Sequence, residues 1–519
     1  MRLNIKISAF VVIAIPYLRF SYHLRPRRES ATFLLATRAV ARAATRAVAR
    51  HRHLNTCEYL VSEMGIKHYL TDLSEHFPGI YQAPAEIDVL CIDLNTALHP
   101  ICAHSPGRAE FKRNLCGYLD RVLRQRRPRQ VAVFSDGQAV LAKASIQMKR
   151  RQKHLYDADD DRCISTLNLT PGTPFMHFID EVVVEYLGAR SIPHHYSPST
   201  EPNEGELKLF QWLKRQARPD QSVCIIGDDA DLIVLSLLNA PLLHVYIYTQ
   251  KRFISIARLV EGLSTLCDRS FGLANHPIRR DVGLISLLLG NDYVGQLVRF
   301  KTALAGYRAF LRDNAGFLTR KNGQVNWGNF RHYVMKLERG PPTRGAMQPR
   351  PDEAASAYLT ALEWNMRLYT GDVIPNFLPE NTGIGVSTLQ QHFPRRVALP
   401  SIEPAWLHPD VYLLLLMPIV GRRYLPESLQ AYMADDSPIR HLFPDPCDRC
   451  VGFKRLIGDI NARMESMEPS DFRVQIAAAN AAYRQHLDAA HPSTALPIQP
   501  IQDALFGSRD SRRAVELSV

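Results

Sequence analysis

Between residues 89 and 248, short apolar runs alternate with longer amphipathic stretches. The runs are VLCI at 89–92, VAVF at 131–134, VCII at 223–226 and HVYIY at 244–248. Their length and apolar, partly β-branched character predict buried strands. Among the stretches between them, NEGELKLFQWLK at 203–214 and GQAVLAKASIQMKRRQKH at 137–154 space their apolar positions as helices do. The alternation predicts a mainly parallel sheet flanked by helices. Further on, DVGLISLLLGNDY at 281–293 reads as a helix ended by Gly290. The Pro/Gly/Arg-rich stretch RGPPTRGAMQPRP at 339–351 reads as a linker or surface loop. From there to about residue 490 the pattern is mainly helical, and 491–519 is expected to be a loose tail.

Residues 1–63 have a different texture. ATRAVAR at 36–42 recurs at 44–50, and the segment holds 11 Lys+Arg against 3 Asp+Glu. It reads either as an organelle-targeting peptide or as sequence upstream of a true start at Met64; the second reading is adopted. The apolar stretch Ile7–Leu18 is too short to span a bilayer and is interrupted by Pro16. No membrane partner is expected.

Charge changes this picture little. The net charge of +12 invites a nucleic-acid reading, yet most of the excess sits in the first 63 residues. Nine cysteines scattered through 519 residues suggest a reducing compartment rather than a disulfide framework.

The carboxylates matter more. VLCI runs directly into Asp93. VAVF runs through Ser135 to Asp136, and VCII through Gly227 to Asp228, Asp229 and Asp231. Ligands of open α/β sheets bind at the carboxyl ends of the strands, so these acids share one edge. Glu204 and Glu206 open an amphipathic helix, and Asp292 follows Gly290. Two carboxylates about 5 Å apart repel by roughly 3 kcal/mol at an effective dielectric near 20. Seven acids in one pocket would therefore need cations, and oxygen-only ligands suit two Mg²⁺ or Mn²⁺ ions. Such a pair activates water and stabilises the leaving oxygen of a phosphodiester. The bland alternatives are turn residues, helix caps and acids favoured at a helix N-terminus.

After Asp136, Lys143, Gln147, Arg150 and Arg151 fall at i, i+4, i+7 and i+8, on one helical face. Such donors suit a terminal phosphate; a solvated basic face paired with the acidic run 157–161 is the alternative. Cys447 and Cys450 form a CxxC with no second pair, which argues against a zinc site.

In order, MGIKHYLTDLSEHFP at 64–78, LCIDLNTALHP at 90–100, SDGQAVLAKASIQMKRR at 135–151, TPGTPFM at 170–176, NEGELK at 203–208, IGDDADLIVL at 226–235 and LLGNDY at 288–293 resemble the Xrn/Rat family of 5′→3′ exoribonucleases. EWNMRLYTG at 363–371 and LLLLMPIVGRRYLPESLQAYMADDSPIRHLFP at 413–444 resemble that family's second shared region. The resemblance implies a PIN/flap-nuclease-like core with a mainly helical second region packed on it, in a short form holding the two shared regions only. With the compositional reading of the linker and tail, the expected division is a nuclease domain of that type over 64–335, a linker at 336–355, a helical second region at 356–490 and a tail at 491–519. The resemblance gives Asp93, Asp136, Glu204, Glu206, Asp229, Asp231 and Asp292 to catalysis and two metal ions. It also gives Lys143, Gln147, Arg150 and Arg151 to a 5′-monophosphate pocket and His99 to stacking on the first base, a buried structural His being the alternative. Asn95, two residues after Asp93, is expected to hold the scissile phosphate or the first nucleotide. Asp228 stands where the family has an apolar residue and is left out. Lys67, Asn203 and DVIPNFLPENTG at 372–383 depart from the family pattern, and no Trp follows Trp406.

The expected function is hydrolysis of 5′-monophosphorylated single-stranded RNA to mononucleotides. A flap-type DNA endonuclease and a non-catalytic RNA-binding relative are the alternatives. The expected location is the cytoplasm, with the nucleus as the alternative, and the mitochondrion only if residues 1–63 are a transit peptide.

Overall fold

The four apolar runs become the centre of a six-stranded sheet. A computed structural model describes residues 66, 68–156, 163–239, 244–266, 277–313, 316–339, 350–380, 383–491 and 496–507. The readings of residues 1–63, Lys67 and the acidic run 157–161 therefore lie outside the described residues. The strands are β1 (Val89–Asp93), β2 (Gln130–Phe134), β3 (His194–Ser197), β4 (Ser222–Ile226), β5 (His244–Thr249) and β6 (Arg252–Ser255). Their order is β3-β2-β1-β4-β5-β6. All pairs are parallel except β5 with β6, which is antiparallel.

Side chains alternate across the sheet with the period of two that a pleated strand imposes. Val89, Cys91, Ala132, Phe134, Val223 and Ile225 enter one core. Leu90, Ile92, Val131, Val133, Cys224 and Ile226 enter the other. Both faces are covered, which is why these strands read as unbroken apolar runs. Helices Asn95–Ala103, Arg108–Arg126 and Pro174–Gly188 cover the second face. Helices Gly205–Gln216, Asp231–Leu238, Pro277–Leu287 and Pro351–Thr370 are among those covering the first.

Three expectations are revised. The helix expected over 137–154 runs only over Leu141–Gln152, because the chain from Gly137 to Val140 is not helical. The stretch assigned to a linker ends inside helix Pro351–Thr370, whose Tyr358, Trp364 and Tyr369 are buried in the first core. The tail contains helix Ile498–Phe506, with Ile501 fully buried against the cluster built on Pro409–Leu416. Among the described residues, no helix is long and apolar enough to cross a membrane.

Candidate active site

The parallel order puts the carboxyl ends of β1, β2 and β4 side by side at the sheet centre. Asp93 closes β1, Asp136 lies two residues past β2, and Asp229 and Asp231 follow β4. Asn95 ties two of these ends together. Its backbone N–H donates to Asp93 Oδ1 at 3.3 Å, and its side-chain oxygen accepts from the Asp136 backbone N–H at 3.3 Å. Thr96 Oγ1 donates to Asp93 Oδ2 at 3.0 Å.

Glu204 is the N-cap of helix Gly205–Gln216, and Glu206 sits in its first turn. The Gly205 N–H donates to Asp136 Oδ1 at 2.7 Å. A Cβ on Gly205 would lie 3.2 Å from Asp93 Oδ1 and 3.3 Å from Asp136 Oδ1, so a glycine lets the helix start approach both acids. Asn203 takes φ +96°, a left-handed conformation that Asn tolerates better than most residues. It therefore does the backbone work of the glycine that the family pattern has there.

All seven acids join one electrostatic network. Burial first, and then Asp136, push Asp93 up to about 8. Burial and then Asp229 push Asp231 up to about 8. Burial raises Asp136 and Glu206 as well, with Glu204 the next cause for the former and Asp229 for the latter. Asp229 is raised chiefly by burial. Asp292 behaves oppositely: burial alone would raise it, but Lys143 and Arg150 outweigh that and hold it below the usual carboxylate value. Asp228, excluded above, is exposed and accepts a hydrogen bond from Thr249.

Lys143 stands inside the network. Its Nζ lies 2.9 Å from Glu204 Oε1 and 2.9 Å from Asp292 Oδ2. Arg150 Nη2 reaches Asp292 Oδ1 at 3.1 Å. Gln147 and Arg151 are held differently. Tyr412, from helix Pro409–Leu416, donates to Gln147 Oε1 at 2.7 Å, and Arg151 Nε donates to Thr170 Oγ1 at 2.8 Å. The four basic-face residues thus share one helix, and Lys143 and Arg150 are the two seen bonded to the acids. His99 is exposed on helix Asn95–Ala103, close enough to Arg151 and His154 to feel their charge.

Two tyrosines escaped the sequence reading. Tyr369 OH donates to Asp231 Oδ2, and Tyr293 OH donates to Glu204 Oε2 at 2.9 Å. Each fixes one oxygen of a carboxylate from a distant element. Tyr293 directly follows Asp292, the one hint that position could have given.

The donor set fits hard divalent cations. It offers carboxylate oxygens only, several carboxyls are driven up by burial and by one another, and Asp231 Oδ1 is buried without a hydrogen-bond partner among the described residues.

Residues 64–248 match the family model for the "XRN 5'-3' exonuclease N-terminus". Over those residues, less than half of its length, the chain is similar to this family. The chain is 30% identical over 197 residues to a 5′-3′ exoribonuclease 2 of Cryptococcus neoformans var. neoformans, covering 29% of this chain and 17% of that one. It is 29% identical over 215 residues to 5′-3′ exoribonuclease 1 of Saccharomyces cerevisiae, covering 34% and 14%. The chain thus matches less than a fifth of the length of either relative. A solved structure, the catalytic core of Rad2 in complex with DNA substrate, overlaps at a TM-score of 0.31 and 13% identity, over 68% of this chain and 99% of that one; the likeness is too slight to carry an argument.

Proposed function

We propose that this chain is a divalent-metal-dependent 5′→3′ exoribonuclease that takes single-stranded RNA with a 5′-monophosphate. The observation that carries the reading is the seven-carboxylate network at the ends of β1, β2 and β4, with Lys143 and Arg150 bound to its edge. Asp93, Asp136, Glu204, Glu206, Asp229, Asp231 and Asp292 would hold two Mg²⁺ or Mn²⁺ ions. When bound, such ions lower the pKa of water and offset charge on the leaving oxygen.

The chain's own residues do the rest. Asn95, Thr96 and Gly205 fix the oxygens of Asp93 and Asp136. Tyr369 and Tyr293 fix Asp231 and Glu204. Lys143 and Arg150 would exchange carboxylate partners for a 5′-phosphate, with Gln147 and Arg151 as further donors. The exposed His99 ring is available to stack on a base without reading its identity. Water attacks the scissile phosphorus, the P–O3′ bond breaks, and the 3′ oxygen takes up a proton. The shortened strand then carries a new 5′-phosphate, so one pocket serves every cycle.

Asp229→Ala and Asp231→Ala variants test this reading. Each should lose RNA hydrolysis while retaining RNA binding. Undiminished hydrolysis in EDTA, or in both variants, would overturn it.

A further inference from the structure

Far from the carboxylates in sequence, two consecutive helices form an antiparallel pair, Asp448–Ala462 and Pro469–Ala490. The pair buries little of its own. Helix Asp448–Ala462 buries Cys450 and Ile460, and helix Pro469–Ala490 buries Ala479 and His486 among its described side chains. Val474 is 68% exposed, and Leu456 and Met464 are each 46% exposed. A unit of this size without a hydrophobic core needs another fastening.

The open end of the hairpin supplies one. Cys447 and Cys450 sit at the start of the first helix, and His486 and His491 at the end of the second. One ligand atom from each of the four lies within 4.8 Å of the other three. Cys447 Sγ is 3.4 Å from His486 Nε2, and Cys450 Sγ is 3.5 Å from His491 Nε2. In a zinc tetrahedron with Zn–S about 2.3 Å and Zn–N about 2.0 Å, the S···N edge is about 3.5 Å. The spacing also fits: C-x₂-C at one end and H-x₄-H at the other. Neither cysteine is in a disulfide. The His486 and His491 rings stand nearly perpendicular, at 86°, and Phe453 packs against His486 at 5.8 Å.

We propose that Cys447, Cys450, His486 and His491 bind one structural zinc ion, separate from the carboxylate network. Four protein ligands leave no open position, so the site fastens the hairpin and does no chemistry. It also steadies the nuclease body. Lys454, on the first helix, donates from Nζ to Lys153 O at 2.8 Å, just past the end of the basic helix Leu141–Gln152. The expectation that this CxxC binds no zinc is thereby reversed: the second pair exists, but as histidines a whole hairpin away.

The test uses the full chain, purified in Mg²⁺ without chelator. Elemental analysis should find one zinc per chain. Exchange of zinc for Co²⁺ should give the thiolate-to-cobalt charge-transfer band and the intense visible bands of a tetrahedral site, which carboxylates alone do not produce. A Cys447→Ser, His491→Ala double variant should drop bound zinc below about a tenth of the wild-type value. If that variant fails to fold, wild-type chain still answers: Cys447 and Cys450 should resist alkylation until a chelator is added, as read by peptide mass spectrometry. Wild-type chain without zinc and without the charge-transfer band overturns the proposal, as does zinc retained by a folded double variant. So does equal alkylation of both cysteines with and without chelator.

Discussion

Replacing Lys143 by Met probes the junction between the acids and the basic helix. Lys143 is nearly buried and has Glu204 and Asp292 oxygens each 2.9 Å from its Nζ. Those oxygens are therefore no more than about 5.8 Å apart, the sum of the two distances. At that distance and an effective dielectric near 20, two unit charges repel by about 3 kcal/mol. Methionine keeps most of the side-chain volume, so the loss is mainly the cation. Lys143→Met should thus be about 3 kcal/mol less stable than wild type in EDTA, in line with the cost of removing one partner of a buried pair. Most of that loss should return in Mg²⁺, since a divalent ion among the acids neutralises the same repulsion. Urea unfolding followed by tryptophan fluorescence, in EDTA and in Mg²⁺, measures both effects through the midpoints. A variant within about 0.5 kcal/mol of wild type in EDTA would refute the counter-ion role.

Other outcomes follow from the same geometry. Tyr369→Phe removes the hydroxyl that orients Asp231 and should slow hydrolysis by about tenfold in a folded chain; an unchanged rate contradicts the positioning role. Gly205→Ala pushes a methyl against Asp93 and Asp136 and should cost at least about tenfold in rate, whereas Asn203→Gly, at φ +96°, should leave rate and unfolding midpoint unchanged or slightly raise the midpoint. Without divalent ions, Asp93 and Asp231 titrate near 8 in the folded chain against an ordinary value of 3.8. The folded state then binds more protons than the unfolded one, so the stability from these two groups is full below the ordinary value and is lost as pH rises through about 8. The Mg²⁺-induced rise in midpoint should accordingly grow from about pH 5.5 to about pH 8, and an equal rise at both contradicts the coupling.

Much of this fold is legible in the chain because both sheet faces are covered. Burial on both sides makes β1, β2 and β4 apolar almost throughout, so the acids at or just past their ends stand out. The edge strands are another matter. β3 is HHYS and β6 is RFIS, short and partly polar, with no apolar run to mark them. The seven acids could be named from motifs, but of their supports only Asn95 is singled out by the sequence, and for the substrate rather than for Asp93 and Asp136. Tyr369 reaches Asp231 from 138 residues away, and no local pattern announces such a contact. Helical spacing puts Lys143 on a face with Arg150, yet periodicity says nothing of what that face meets; Lys143 meets Glu204 and Asp292, and the half-buried Arg150 meets Asp292. The Cys/His group was missed for the same reason, since its halves come from two different helices of a hairpin.

The most direct measurement follows single-stranded RNA labelled at its 3′ end, offered with a 5′-monophosphate or a 5′-hydroxyl, with Mg²⁺ or with EDTA. The 5′-monophosphate strand should shorten from its 5′ end in Mg²⁺, releasing nucleoside 5′-monophosphates. The 5′-hydroxyl strand should be lost roughly ten- to hundredfold more slowly, the scale of one or two charge-assisted contacts. Neither strand should be lost in EDTA. Equal rates on the two ends, internal cuts, or digestion in EDTA would contradict the proposed function.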